Sequence, residues 1–121
     1  MEIYKTMENM RFNENDALTL RDLLGKIDDE LNSLYFSDYR RYVEAISDED
    51  VDFKLMYIQP LMDFLDLKTN VHYSCMFITS FGGCAGILFM GFDNGTLKKP
   101  FPILFEDLEK LSNNELIKLF Q

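Results

Sequence analysis

From Asp16 onward, Ala17, Leu20, Leu24, Ile27, Leu31 and Leu34 recur at steps of three and four. At 100° per residue this spacing places them in one stripe and predicts an amphipathic helix. Asn13, Asn15 or Asp16 can cap its start, and Asp22 and Asp29 fall opposite the apolar stripe. Asp22, Lys26 and Glu30 are spaced four apart and can pair along the surface. Gly25 weakens the middle by about 1 kcal/mol relative to alanine and suggests a close approach by a neighbour. Ser37 offers a second cap, followed by Tyr39, Tyr42, Val43 and Ile46 at helical spacing, so a short helix should turn back on the first. Ser47, with Asp50 three residues later, resembles a capping arrangement for a third helix carrying Val51, Leu55, Ile58, Met62 and Leu65. Pro60 lies inside that pattern and removes a backbone donor, so a kink or break is expected near Ile58 to Gln59. The alternative is a strand from Asp52 to Ile58, with a helix beginning at Pro60.

After Asn70 the period changes. Val71 to Thr79 and Cys84 to Phe92 read as two antiparallel strands joined at Ser80 to Gly83. Asp93-Asn94-Gly95 supplies residues that accept positive φ and should turn the chain into a third strand within Thr96 to Phe105. Pro100 and Pro102 cannot donate to a ladder, which makes that strand short or places it at an edge. Ser112 with Glu115 caps a last short helix carrying Leu116, Ile117 and Phe120. The predicted fold is α+β: acidic N-terminal helices (about 14–66) packed on a three-stranded antiparallel β-meander (about 71–105), with a short C-terminal helix (about 106–120). Residues 71–92 contain no Asp, Glu, Lys or Arg, nominally enough to cross a bilayer. The Ser80-Phe81-Gly82-Gly83 interruption, flanked by β-branched and aromatic residues, favours a buried hairpin over a membrane helix.

Composition narrows the classes. With 121 residues, 47% of them hydrophobic, the chain reads as one globular domain spanning 1–121. Twenty-one acidic against twelve basic side chains give a formal charge of −9, and Lys and Arg occur at most in pairs. No basic stripe is available for a phosphate backbone, so nucleic acid is not expected as a direct ligand. The first eleven residues mix Glu2, Lys5 and Glu8 among apolar ones, unlike a signal peptide. Two cysteines are too few for a disulfide framework, and together these features predict a cytoplasmic protein. The charge is uneven: residues 14–52 hold twelve acids and four bases, a net of −8, whereas 53–121 are close to balanced.

The spacing of candidate residues matches no catalytic or metal signature. A thiolate at Cys84 would need a base, and His72, the only histidine, should lie at the far end of the hairpin. Asp48, Asp50 and Asp52 alternate as in a calcium loop, but Phe53 stands where that loop needs glycine and Gln59 where it needs glutamate. One histidine and two cysteines nine residues apart do not make a zinc site. Gly82, Gly83 and Gly86 lack the lysine and hydroxyl of a phosphate loop. No catalytic residue, metal ligand or cofactor is expected.

The charge map instead predicts a non-enzymatic protein that binds and blocks a basic partner, such as a nuclease or another nucleic-acid-binding protein. An acidic surface can occupy a cationic groove and associate rapidly through electrostatic steering. In size and charge the chain is similar to toxin-immunity proteins and viral inhibitors of bacterial defence, although no residue motif carries a family resemblance. The expected contact residues are Asp22, Asp28, Asp29, Asp38, Glu44, Asp48, Glu49 and Asp50, with Tyr39 and Phe81 as aromatic anchors. The alternative is a structural or regulatory subunit that assembles through apolar surface, including as a homodimer, since eleven Phe and seven Met exceed what a small core obviously requires. A small enzyme assembled from distant residues is the third reading.

Overall fold

The computed structural model describes residues 12–121. Helix α1 (Glu14–Ser37) forms on the predicted stripe and buries Ala17, Leu20, Leu24, Ile27, Leu31 and Leu34. Its cap is Asn13, whose side chain accepts from the amides of Asn15 (2.9 Å) and Asp16 (3.2 Å). The Asp16 carboxylate accepts from the Asn13 amide in return, at 2.9 Å. This reciprocal arrangement satisfies donors that the first turn cannot satisfy internally. Asp16 also meets Lys68 at 3.2 Å, in a pair whose side chains are only 11% and 14% exposed, so this acid is structural. Gly25 has no neighbour: a Cβ added there meets nothing within 4 Å, contrary to the close approach that its position suggested.

Helix α2 (Tyr39–Ile46) follows after one residue, capped by Asp38 in place of the expected Ser37, which ends α1. Tyr42 and Ala45 are buried, while Tyr39 and Val43 face solvent. The next helix starts on Asp50, not Ser47; the Asp50 side chain accepts from the Phe53 amide at 3.0 Å. Three segments then run on without leaving helical backbone: α3 (Val51–Phe53), a π-helical turn (Lys54–Ile58) and α4 (Gln59–Lys68). The chain answers the proline with wide-turn winding and neither breaks nor becomes a strand. Pro60 sits in the first turn of α4, where its missing donor costs little. The π turn also rotates the register. Phe53, Leu61 and Leu65 are buried, whereas Val51 (66% exposed) and Leu55 (60%), both expected in the stripe, point outward.

Strands β1 (His72–Ser80) and β2 (Gly83–Asp93) form the predicted hairpin across Phe81 and Gly82, with Gly83 at φ +119°. Asn94 (φ +51°) and Gly95 (φ +81°) make the second turn. The third strand is divided into β3 (Thr96–Leu97) and β4 (Phe101–Leu104), and both pair antiparallel with β2 along its second edge. After a 3₁₀ turn (Phe105–Asp107), helix α5 (Asn113–Leu119) begins on the Ser112–Glu115 capping box. It is shorter than the 106–120 span expected, because residues 108–110 form a turn and 111 a bend before the Ser112 cap.

The helices cover one face of the sheet. Tyr73, Ile87, Phe89 and Ile103 point into them and are buried, and the Phe89 ring stands 5.0 Å from that of Phe120. The Tyr73 hydroxyl donates to the Phe120 carbonyl at 3.0 Å, tying the chain's end under the sheet. Arg21 locks the same region from the side. Its Nε donates to Asn113 Oδ1 at 3.0 Å, and its terminal nitrogens donate to the carbonyls of Leu108 and Leu111. Among the described residues no helix is long and apolar enough to cross a membrane; residues 71–92 are strand and turn.

Candidate binding site at the hairpin tip

Helix α1 ends, α2 begins and the β1–β2 hairpin turns at one end of the molecule, where Tyr35 joins all three. Its hydroxyl donates to the Phe81 carbonyl at 3.1 Å. Its ring meets Phe36 at 5.1 Å, Tyr39 at 5.6 Å and Tyr42 at 5.1 Å, each edge to face. Gly83 leaves its ring room: the Cβ position of this glycine is 3.5 Å from the Tyr35 ring. Tyr42 is the buried root of the cluster, stacked 5.6 Å under Tyr39, and burial with the neighbouring Cys84, Tyr39 and Tyr35 pushes its phenol up to about 12. It therefore stays neutral and acts as packing.

Above that root, three large rings stand in solvent: Phe36 at 83%, Tyr39 at 60% and Phe81 fully exposed. A hairpin tip needs glycine, asparagine or aspartate for its backbone and has no local use for an exposed phenylalanine. Tyr35 packs on the rings of Phe36 and Tyr39 and holds the backbone of Phe81, and exposed aromatic anchors are enriched at the centres of protein interfaces.

One acid, Asp38, adjoins the rings, and a second, Asp28, lies further back along α1. Asp38 caps α2, with one oxygen accepting from the Arg41 amide at 3.2 Å, and is exposed. Asp28 lies on the α1 flank nearest Cys84; burial first, then the adjacent Asp29, raises its pKa against the lowering effect of the Asn32 hydrogen bond at 3.1 Å. Arg40 and Arg41 lie beside them but are engaged, with Glu44 at 3.5 Å and Asp50 at 3.6 Å. Neither Asp28 nor Asp38 has an ion-pair partner among the described residues.

The ten residues singled out in the sequence thus divide. Asp38, Tyr39 and Phe81 come together at the tip, whereas Asp28 lies about 12 Å back along α1 from Phe36. Asp22 and Asp29 lie one above the other on the outer pole of α1, where Asp22 pairs with Lys26 at 3.0 Å. Asp48, Glu49 and Asp50 sit beyond the far end of α2, about 12 Å along that helix from Asp38. Asp48 pairs with Lys54 at 3.2 Å, and Asp50 is committed to its cap with only 9% of its side chain exposed. Glu44 answers Arg40 on the intervening helix. Sequence reasoning missed Phe36 and Tyr35. Phe36 carried a usable signal, because it falls on the polar side of the α1 wheel, near Asp22 and Asp29, where an aromatic residue has no packing role.

Chemistry elsewhere is limited by geometry. An open groove of about 650 Å³ runs along β1 beside the α3–π–α4 rod, with Asp48, Lys54, Asp66, His72 and Cys75 in its lining. His72 Nδ1 lies 3.4 Å from Asp66 at the outer rim, whereas Cys75 points to the inner side of the strand. The ladder sets His72 opposite Phe92 and Cys84 opposite Thr79, at opposite ends of the hairpin. Burial pushes both thiols up to about 11, so neither is a thiolate near neutral pH. Among the described residues no three His, Cys, Asp or Glu side chains form a group that could hold a metal ion. No known protein family, curated protein or solved structure matches this chain.

Proposed function

We propose that the chain is a non-enzymatic binding protein that covers a basic surface of a partner protein through its hairpin-tip end. The observation that carries this reading is the set of exposed rings, Phe36, Tyr39 and Phe81, gathered around Tyr35, which packs on the first two and holds the backbone of the third. The acid Asp38 lies between Phe36 and Tyr39 in the chain and Asp28 further back along α1, and neither is ion-paired among the described residues. Aromatic anchors supply contact area at low conformational cost, and the acids select a cationic neighbour and speed its approach. The overall charge of −9 favours the same class of partner, a nuclease or another nucleic-acid-binding protein. In the cytoplasm such a partner would be kept from nucleic acid while bound, as an immunity-type or anti-defence inhibitor would require. The reading rests on the tip and not on one continuous acidic face, because five of the twelve acids in residues 14–52 are paired with the chain's own bases.

The test is affinity capture from the encoding organism with two baits, the wild-type chain and Tyr39→Ser/Phe81→Ser. A basic protein retained by the first and reduced at least about tenfold on the second supports the proposal. Equal recovery on both baits refutes it.

A further inference from the structure

The two edges of the sheet are built differently. Lys98 donates its amide to the Gly91 carbonyl at 2.8 Å, so from Gly86 to Asp93 the odd-numbered residues of β2 point their backbone groups at β3 and β4, and the even-numbered ones point theirs at β1. Opposite the even-numbered residues stand His72, Ser74, Met76 and Ile78. The backbone groups of Tyr73, Cys75 and Phe77 therefore point the other way, to an edge with which no strand of the described residues pairs. A long, regular edge is a template for another strand, and chains commonly blunt such edges with proline, lysine or bulges. The far edge is blunted in this way. Lys98, Lys99 and Pro100 interrupt it, and Pro102, opposite Leu88, turns its missing donor outward. Between His72 and Ile78, by contrast, β1 has no proline or lysine, and its register shifts only at Ile78/Thr79, next to the turn.

That β1 edge is also one wall of the groove of about 650 Å³, whose other wall is the α3–π–α4 rod. We infer that an extended segment of a partner protein enters this groove and adds to the sheet as a strand beside β1, with apolar side chains at alternate positions and basic residues at its ends. In strand addition the main chain supplies affinity and alternate side chains supply selection. Residues His72 to Phe77 line the groove, about 20 Å of strand, so pairing extends over about five or six residues. Every second side chain of such a strand turns toward the helical layer, where Ile46, Ile58 and Met62 offer half-buried apolar surface. Charge selects the ends. Asp48 and Asp66 line the groove, and Asp63 accepts from the lining Gln59 at 2.8 Å, whereas Lys54 is the one lysine or arginine among the described lining residues. Because the rod walls the groove, a second copy joined edge to edge would bring its own rod into the same space, and only a lone strand fits. The tip rings lie outside the groove, so this inference does not rest on the proposed function.

Nuclear magnetic resonance titration of the full chain with the peptide Lys-Val-Thr-Val-Thr-Val-Lys, blocked at both ends, is the test. The peptide should bind with a dissociation constant below about 1 mM and move the amide signals of Tyr73, Cys75 and Phe77 most. In an added strand one alternate set of peptide amides faces β1 and the other faces away. Of two further peptides, one N-methylated at its valines and one at its threonines, one should therefore lose at least about tenfold in affinity and the other should keep it. Ending the peptide in glutamate instead of lysine should weaken it at least about threefold. The Tyr39→Ser/Phe81→Ser chain should bind the peptide as wild type does, which separates this inference from the reading of the tip. No shift at about 5 mM peptide overturns it, as does a glutamate-ended peptide that binds equally well. So does binding that survives both methylations or is lost with both. Slow hydrogen exchange at the three amides in the chain alone also overturns it, because the edge would then be taken by another part of the chain or by a second copy.

Discussion

Replacing Arg21 with alanine should be one of the most damaging single changes outside the apolar core. On a helical wheel this arginine looks like an ordinary surface base, for which truncation costs within about 0.5 kcal/mol. Its guanidinium instead donates to Asn113 Oδ1 at 3.0 Å and to the carbonyls of Leu108 and Leu111, fastening the turn that precedes α5 onto α1. Hydrogen bonds to a charged donor contribute about 1.5–3 kcal/mol each. The three share one side chain and a partly exposed site, so water recovers some of the loss and the sum does not apply. A total of about 3 kcal/mol is the working figure, equivalent to a fall in Tm of about 10–15 °C for a domain of this size. Arg21→Lys should recover less than half, because an ammonium cannot present the planar fork that reaches three acceptors. Urea denaturation followed by circular dichroism measures the loss, and amide exchange should show the 113–119 segment opening first. Arg21→Ala within 1 kcal/mol of wild type, with unchanged exchange in α5, would refute the reasoning.

Other consequences are as direct. Gly25→Ala should stabilise the chain by about 1 kcal/mol in the same denaturation assay, since the added methyl meets nothing within 4 Å and the helix gains propensity. Gly86→Ala should destabilise by more than about 2 kcal/mol, because its Cβ would lie 2.3 Å from the Ile103 carbonyl oxygen and force β2 and β4 apart. For Cys75 and Cys84 the fold raises the pKa from 9.0 to about 11. Between those values the unfolded chain has released thiol protons that the folded chain keeps, so unfolding free energy should fall as pH rises from 9 toward 11. Denaturation at pH 8 and 10.5 checks the sign, and equal stability at the two would contradict it.

How far the sequence reaches depends on how local the governing physics is. The α1 stripe, the Ser112 capping box and the Asn94-Gly95 turn are decided within a few residues, and each formed where spacing put it, while Asn13 is one of three candidates to cap α1. Pro60 shows the opposite case. Its presence announced a disturbance but not the form, and the π turn upstream rotated Val51 and Leu55 out of the stripe that a uniform helical wheel assigned them. Spacing makes Ser47 the cap with Asp50 as its partner; in the structure the chain turns left-handed at Asp48, with φ +61°, and Asp50 itself caps the helix. The candidate site was half legible. Tyr39 and Phe81 are chemically conspicuous, but Tyr35, which joins them, reaches Phe81 across 46 positions, a separation that no window of local pattern contains. The acids were read as one population because they share a charge, and tertiary structure divided them into caps, pairs and flanking groups.

Binding of the captured partner by the wild-type chain, by Phe81→Ser and by Asp28→Asn/Asp38→Asn, measured from 50 to 500 mM salt, tests the central claim most directly. Asparagine preserves the α2 cap while removing charge. The account predicts that Phe81→Ser weakens binding at least tenfold at every salt concentration. It predicts that the wild-type affinity falls steeply with salt and that the asparagine variant is weaker at low salt, with a shallower slope. Affinities that coincide for all three proteins and stay flat across the salt range would contradict it.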